Sequence, residues 1–282
     1  MPRSSARTVI LPSGERVPAI GLGTWHMGED PSRRKAEVAA LRLGLDLGLT
    51  LVDTAELYGD GGAEEVVGEA VAGRRDEVFL VTKVLPSNAS RTGTIAACER
   101  SLRRLGTDRI DLYLLHWRGK ARLRHVVDAF ESLSRAGKIR HWGVSNLDRY
   151  DLEALTALPQ GDRVQADQVL YNPSRRGIEA DLLPWCRARG IAVMAYSPIE
   201  EGRLVRHRAL GGVAARHGAT AVQVALAWAL RGRGVCAIPK ASSRAHVEEN
   251  RAALDLELTE QDLAEIDRAF PAPKKPVPLE TL

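Results

Sequence analysis

Residues 78–116 read VFLVTKVLPSNASRTGTIAACERSLRRLGTDRIDLYLLH. The apolar run Val78-Phe79-Leu80-Val81 gives way to a segment of 3.6-residue periodicity over 94–105, then to a second apolar run over 110–115. The runs have strand length and the middle segment helix length. Gly106 stands where a helix is closed by a residue that accepts the left-handed conformation. Both runs are nearly continuous in apolar residues, as strands are when both of their faces are covered. The stretch is therefore a strand–helix–strand unit, and a helical crossover makes its two strands parallel.

The pattern repeats outward in both directions. Further apolar runs lie at 20–23, 50–52, 139–144, 164–166, 191–195 and 235–238. Of these, 139–144 is the weakest, because Arg140 and His141 interrupt it. Helical periodicity marks 33–47, 126–136, 178–189 and 221–230, with stops expected at Gly48, Gly137, Gly190 and Gly232. Eight strands, each followed by a helix, predict an α/β fold of the (β/α)8 TIM-barrel type. An open doubly wound sheet is the alternative. Ahead of the barrel, residues 8–11 and 16–20 flank the turn cluster Pro12-Ser13-Gly14-Glu15 and predict an N-terminal β-hairpin. An extra C-terminal helix is expected over 259–270, opened by a capping box from Thr259 to Asp262. The proline-rich tail 271–282 is expected to be loosely held. Residues 1–282 are read as a single domain, with the hairpin in 1–20.

Bulk properties narrow the function classes. A chain of 282 residues, 44% hydrophobic, buries roughly 75% of its unfolded surface as one compact fold. The net charge of +4 is spread along the chain, and the cluster at 203–208 reads as a solvated loop. With aromatics at 5% and no basic stripe, nucleic acid is not an expected partner. Cys98, Cys186 and Cys236 form no CxxC pair and no zinc spacing, so free thiols and no metal are expected. No apolar run approaches the ~20 residues that cross a bilayer, and residues 1–7 are polar. No membrane partner, a cytoplasmic location and a monomer are the resulting expectations.

The polar residues carry the functional signal. In this barrel type the site is built at the C-terminal ends of the strands. There the chain places Thr24-Trp25, Asp53, Lys83, His116, Ser145-Asn146, Gln168, Tyr196-Ser197 and Lys240, one strand after another. Tyr58 follows Asp53 by five residues, in the loop above the second strand. A free phenol, with a pKa near ~10, gives up its proton reluctantly at neutral pH. A nearby Lys83 ammonium is expected to lower that value, and Asp53 to keep the lysine charged. His116 can then position a carbonyl oxygen beside the phenol, which makes Tyr58 a proton donor for a developing alkoxide. Reduction also needs a hydride, which side chains do not supply, so a nicotinamide cofactor is implied.

No Rossmann fingerprint is present, since the third glycine after Gly21-Leu22-Gly23 would fall on His26. Phosphate binding is assigned instead to Lys240-Ala241-Ser242-Ser243, just ahead of a helix starting near Arg244. Tyr196 offers a face for the nicotinamide ring, and Asn146 and Gln168 can bond its carboxamide.

Several motifs together resemble the aldo-keto reductase family over nearly the whole chain. They are Gly23-Thr24-Trp25, Asp53-Thr54-Ala55 with Tyr58, Thr82-Lys83, and the stretch Asp111-Leu112-Tyr113-Leu114-Leu115-His116-Trp117. They continue with Gly137-Lys138-Ile139-Arg140, Gly143-Val144-Ser145-Asn146, Ala195-Tyr196-Ser197-Pro198 and Ile238-Pro239-Lys240. Met27-Gly28-Glu29-Asp30 and Asp181-Leu182-Leu183-Pro184-Trp185-Cys186 are similar to the family's bacterial methylglyoxal-reductase branch. The resemblance implies a catalytic tetrad of Asp53, Tyr58, Lys83 and His116 acting on small carbonyl substrates with NADP(H). It implies Thr24, Ser145, Asn146, Gln168, Tyr196 and Ser197 around the cofactor. Lys240, Ser242, Ser243 and Arg244 are implied near its 2′-phosphate, and Glu249 and Asn250 near its adenine. Trp25, His26 and Trp117 become pocket walls.

The chain departs from the family at two places. His246 stands where many members carry an arginine on the 2′-phosphate, with Arg244 as a substitute. Glu200 and Glu201 stand in the loop after the seventh strand, where their charge is expected to weaken cofactor binding or push the loop outward. Two other readings of the site remain. One is a Schiff-base lyase or aldolase working through Lys83. The other is a nucleotide-binding barrel that regulates a partner with little turnover.

Overall fold

A computed structural model describes residues 7–282, so all but Arg7 of the polar N-terminal segment lies outside the described residues. The chain opens with β1 (Thr8–Ile10) and β2 (Arg16–Pro18), an antiparallel pair with Val9 opposite Val17. The hairpin seals one end of the barrel. Ser13 N donates to Gln165 Oε1 at 2.8 Å, and Glu15 Oε2 meets Arg140 at 2.9 Å and His141 at 2.7 Å. The two polar residues that weaken the 139–144 run are therefore the hairpin's anchors, at the strand's N-terminal end.

Eight strands follow: β3 (Leu22–Gly23), β4 (Leu51–Asp53), β5 (Phe79–Val84), β6 (Ile110–Leu115), β7 (Ile139–Ser145), β8 (Ala166–Leu170), β9 (Ala192–Tyr196) and β10 (Val235–Ala237). They pair in sequence order, each parallel to the next. Parallel bridges from Ile20 to Ala237 and from Gly23 to Lys240 join first strand to last, as a barrel requires. The seam is tight at Gly23, where a Cβ would lie 2.6 Å from the Ile238 carbonyl oxygen. Only glycine fits there.

The surrounding layer comprises α1 (Arg34–Asp46), α2 (Gly62–Val71), α3 (Arg91–Leu105), α4 (Leu123–Arg135), α5 (Arg149–Thr156), α6 (Leu182–Ala188), α7 (Arg208–His217), α8 (Ala221–Ala229) and α9 (Arg244–Ala252), with α10 (Glu260–Ala269) as the extra helix. The capping box at Thr259 and Asp262 forms, each side chain bonding the other residue's backbone N–H. Strand residues alternate between the two cores. On β5, Thr82 turns outward and donates to Glu64 of α2 at 2.6 Å, while Lys83 turns inward and is wholly buried.

Four expectations need correction. The sixth barrel strand runs 166–170 rather than 164–166, because buried Asp167 and Gln168 are strand residues despite their polarity. The helix expected from 178 starts at Leu182, which puts Pro184 in the first turn, where its missing N–H costs nothing. Helix α8 ends at Ala229, and the left-handed residue after it is Gly234, not Gly232. The tail is tied down: Arg176 donates to the Phe270 carbonyl at 2.6 Å, Arg175 pairs with Glu280 at 2.8 Å, and Leu279 packs on the core. Among the described residues, no helix is long and apolar enough to cross a membrane, and no cluster of His, Cys, Asp and Glu is placed to hold a metal.

Candidate active site

Lys83 is the hub of the end of the barrel opposite the hairpin. Its ammonium donates to Asp53 Oδ2 at 2.7 Å, to the Thr54 carbonyl at 2.8 Å and to Tyr58 Oη at 3.2 Å. All three protons are thus committed, as a wholly buried cation demands. Burial favours the neutral amine, but Asp53 and Tyr58 outweigh it and hold Lys83 above its ordinary pKa. Asp53 is fixed from two further sides. Gln168 Nε2 crosses the barrel to Asp53 Oδ1 at 2.8 Å, and Thr24 Oγ1 donates to the Asp53 carbonyl at 2.9 Å. Burial pushes the Asp53 carboxyl up, with Lys83 and Gln168 pulling the other way.

Tyr58 is held by its neighbours' rings. Trp25 stands edge-on to it at 4.8 Å and His116 at 5.7 Å. The phenol oxygen accepts from Lys83, and its own proton has no acceptor among the described residues. The expectation that Lys83 lowers this phenol's pKa is only half right. The ammonium does pull it down, but burial is the larger effect and the phenol ends above 10.0. His116 is pushed down to about 3, first by burial and then by the charge of Lys83. The imidazole is therefore neutral at physiological pH and keeps one N–H to donate. Its Nδ1 is buried without a partner.

A second set of side chains continues from this group. Asn146 Nδ2 donates to the His116 carbonyl at 3.3 Å, and Tyr196 Oη donates to Asn146 Oδ1 at 3.0 Å. Ser145 Oγ donates to the Gln168 carbonyl at 2.8 Å. Asn146 (φ 56°) and Ser197 (φ 44°) hold left-handed backbone without being glycine. Such strain persists where surrounding structure imposes it, commonly at functional sites. Trp25 and Trp117 are about two-fifths exposed and flank the opening, with His26 bonded to Glu29 beside them.

Further along the rim the chemistry changes. Lys240 Nζ donates to Ser242 Oγ at 3.1 Å. Ser243 caps α9 by accepting from His246 N at 3.3 Å. Arg244 pairs with Glu248 of its own helix at 2.9 Å, while Glu249 and the buried Asn250 lie one turn on. Glu200 corrects an expectation. Its carboxylate is buried between Asn172 at 2.7 Å and Arg175 at 2.9 Å, so its charge is met inside the fold; Glu201 pairs with Arg203 at 3.1 Å.

Sequence reading passed over Arg33, whose guanidinium reaches Ser242 Oγ at 3.3 Å. It stands in the charged run Arg33-Arg34-Lys35, and nothing local marks it, since its partner is 209 residues away. Arg175 was missed for the same reason.

A barrel with a buried Asp–Lys–Tyr cluster, a neutral histidine and a cationic rim defines the class of oxidoreductases built on this scaffold. The chain belongs to the aldo/keto reductase family: the model of that family matches residues 19–270. A methylglyoxal reductase of Escherichia coli, YeaE, is 55% identical over 92% of this chain and 93% of its own length. An aldo/keto reductase from Klebsiella pneumoniae, solved in complex with NADP and acetate, is 51% identical with a TM-score of 0.96, covering 98% of this chain and 100% of that one. A second Klebsiella pneumoniae structure, in complex with NADPH, is 50% identical with a TM-score of 0.96 over 99% of this chain and 100% of that one.

Proposed function

We propose that this protein reduces small aldehydes and ketones, 2-oxoaldehydes of the methylglyoxal type among them, with NADPH as reductant and Tyr58 as general acid. The observation that carries the reading is the Lys83 ammonium, bonded at once to Asp53 and to Tyr58. The family membership and the NADP-bound relatives support it. The residues fit the cofactor. The Lys240 rim offers cations and hydroxyls with no carboxylate on Lys240 among the described residues, a donor set suited to phosphate. Lys240, Ser242 and Ser243 would hold that end, and Tyr196, Asn146, Ser197 and Gln168 the nicotinamide end. When bound, the nicotinamide supplies the hydride that no side chain can.

The rest follows from this chain's own groups. Neutral His116 and the Tyr58 phenol converge on one carbonyl oxygen, each with a proton to offer. As charge builds on that oxygen, Tyr58 gives up its proton, and Lys83 stabilises the phenolate left behind. The phenol, although raised by burial, is far more acidic than water at about 15.7, so transfer to an alkoxide runs downhill. Trp25, His26 and Trp117 shield the exchange from bulk water. In the same reading, residues 7–282 work as one barrel domain, monomeric and cytoplasmic; the three buried, free thiols suit a reducing compartment.

A Schiff-base lyase needs a neutral Lys83 amine, and the Asp53 contact weighs against it. The test follows NADPH absorbance with methylglyoxal and with a bulky aromatic aldehyde. Turnover of either, lost in Tyr58→Phe with NADPH binding retained, is expected. Unchanged turnover in that variant would refute the acid role, and borohydride trapping of substrate on Lys83 would restore the lyase.

A further inference from the structure

We propose that Arg33 is the second cation on the cofactor's 2′-phosphate and sets the preference for NADPH over NADH. The proposal rests on the cofactor reading above.

The geometry is specific. Arg33 ends the turn before α1, on the loop that leaves β3. Lys240 and Ser242 follow β10, the strand that closes the barrel against β3. The seam thus brings the two loops together. Arg33 Nη2 and Lys240 Nζ both donate to the single hydroxyl oxygen of Ser242, at 3.3 and 3.1 Å. Two cations that share one neutral acceptor repel each other unless an anion lies between them.

The surroundings supply little counter-charge. The nearest carboxylate to Arg33 is Glu37, at 3.9 Å. Its Oε2 accepts from Gly28 N at 3.0 Å while the Oε1 facing Arg33 has no other partner among the described residues, so one carboxylate serves two cations. No carboxylate pairs with Lys240 among the described residues, and burial with the charge of Arg33 depresses its pKa, against weaker pulls from Glu37 and Glu29. This is a site left short of negative charge, which a phosphate dianion completes.

The alternatives at this rim are weaker. Arg244 is engaged by Glu248 at 2.9 Å and turned along α9. His246 contributes its backbone N–H to the Ser243 cap. Arg33 comes from the opposite side of the seam, so the cation is kept although the family's usual position for it holds histidine. A guanidinium also suits the site, because its planar fork grips two phosphate oxygens at once. NADH carries a hydroxyl at the same ribose position and gains nothing from the extra charge.

The test is binding, read without turnover. Tryptophan-fluorescence titration gives Kd for NADPH and NADH, and calorimetry gives Kd for the fragment adenosine 2′,5′-bisphosphate. For Arg33→Ala, Kd for NADPH and for the bisphosphate is expected to rise about tenfold or more, and Kd for NADH to stay within about twofold. Arg33→Lys is expected to recover part of the loss, and a shallower salt dependence of NADPH binding in Arg33→Ala adds independent support. Equal weakening of both dinucleotides overturns the proposal, because Arg33 would then shape the loop and not read the phosphate. Unchanged NADPH binding in Arg33→Ala, with a selective loss in Arg244→Ala, transfers the role to Arg244 and overturns it as well. A wild-type protein that binds neither dinucleotide overturns the cofactor reading along with it.

Discussion

At the Asp53 end of the mouth every charge has its counter-charge inside the fold; at the Lys240 end two cations share one hydroxyl with a single carboxylate, Glu37, 3.9 Å from Arg33. The difference follows from solvent. Lys83 and Asp53 are sealed from water, where an unpaired charge costs several kcal/mol, so the chain supplies both members of the pair. The rim around Arg33, whose side chain is half exposed, is wetted, so charge can be left uncompensated there at low cost. A preorganised, self-satisfied end suits proton transfer, which rewards fixed geometry. An under-compensated end suits binding, where the ligand brings the missing charge.

The sharpest way to break this comparison is Lys83→Met. It strands the buried Asp53 carboxylate, so a loss of about 3–5 kcal/mol in chemical denaturation is expected along with lost turnover. Next comes Tyr58→Phe, which removes a proton without creating a buried charge. A fall in kcat of about 10³-fold is expected, with NADPH affinity nearly unchanged and a stability loss of about 1–3 kcal/mol, because one Lys83 proton loses its acceptor. A stability loss as large as that of Lys83→Met would make Tyr58 part of the structural pair and blur the contrast.

A gentler probe is pH. His116 is held down at about 3 and Tyr58 lies above 10.0, so kcat/KM should be flat between these limits and fall on the alkaline side as the phenol loses its proton. The same depressed histidine affects stability. The unfolded chain takes up a proton below 6.5 that the folded one refuses until about 3, so stability is lost as pH falls across that window. Melting curves of His116→Gln should decline less over the same range. The smallest effect belongs to the rim: Arg244→Ala breaks an exposed i,i+4 pair and should shift the melting temperature by less than about 2 °C.

Much of this was legible in advance, for identifiable reasons. The barrel strands are apolar runs of fixed length, and burial on both faces writes itself into composition. Asp53, Lys83 and His116 stood out because a barrel sets polar groups at strand ends, so residues far apart in sequence occupy equivalent positions; Tyr58 was reached only through its place in the loop five residues beyond Asp53. Other features left no local trace. Arg33 reads as one more solvated arginine, and the tail 271–282 reads as loose until Arg175 is seen to pair with Glu280 and Leu279 to pack on the core. Asp167 misled in the other direction, because a charged residue in a short run looks like a strand's end when it is in fact buried.

The amino-acid sequence by itself determined the alternation of strand and helix, the order of the polar strand ends and the residue types of the Asp53–Lys83–Tyr58 cluster. These depend on local periodicity and on position along each repeat, which a linear chain carries in full. Closure alone decided which charges meet. The bridge between β3 and β10 sets Arg33 against Lys240, and the width of the closed barrel sets Gln168 against Asp53. Burial that raises Tyr58 against the charge of Lys83, and burial that depresses His116 together with that charge, were decided there too, because both depend on distances that exist only once the sheet has curled shut.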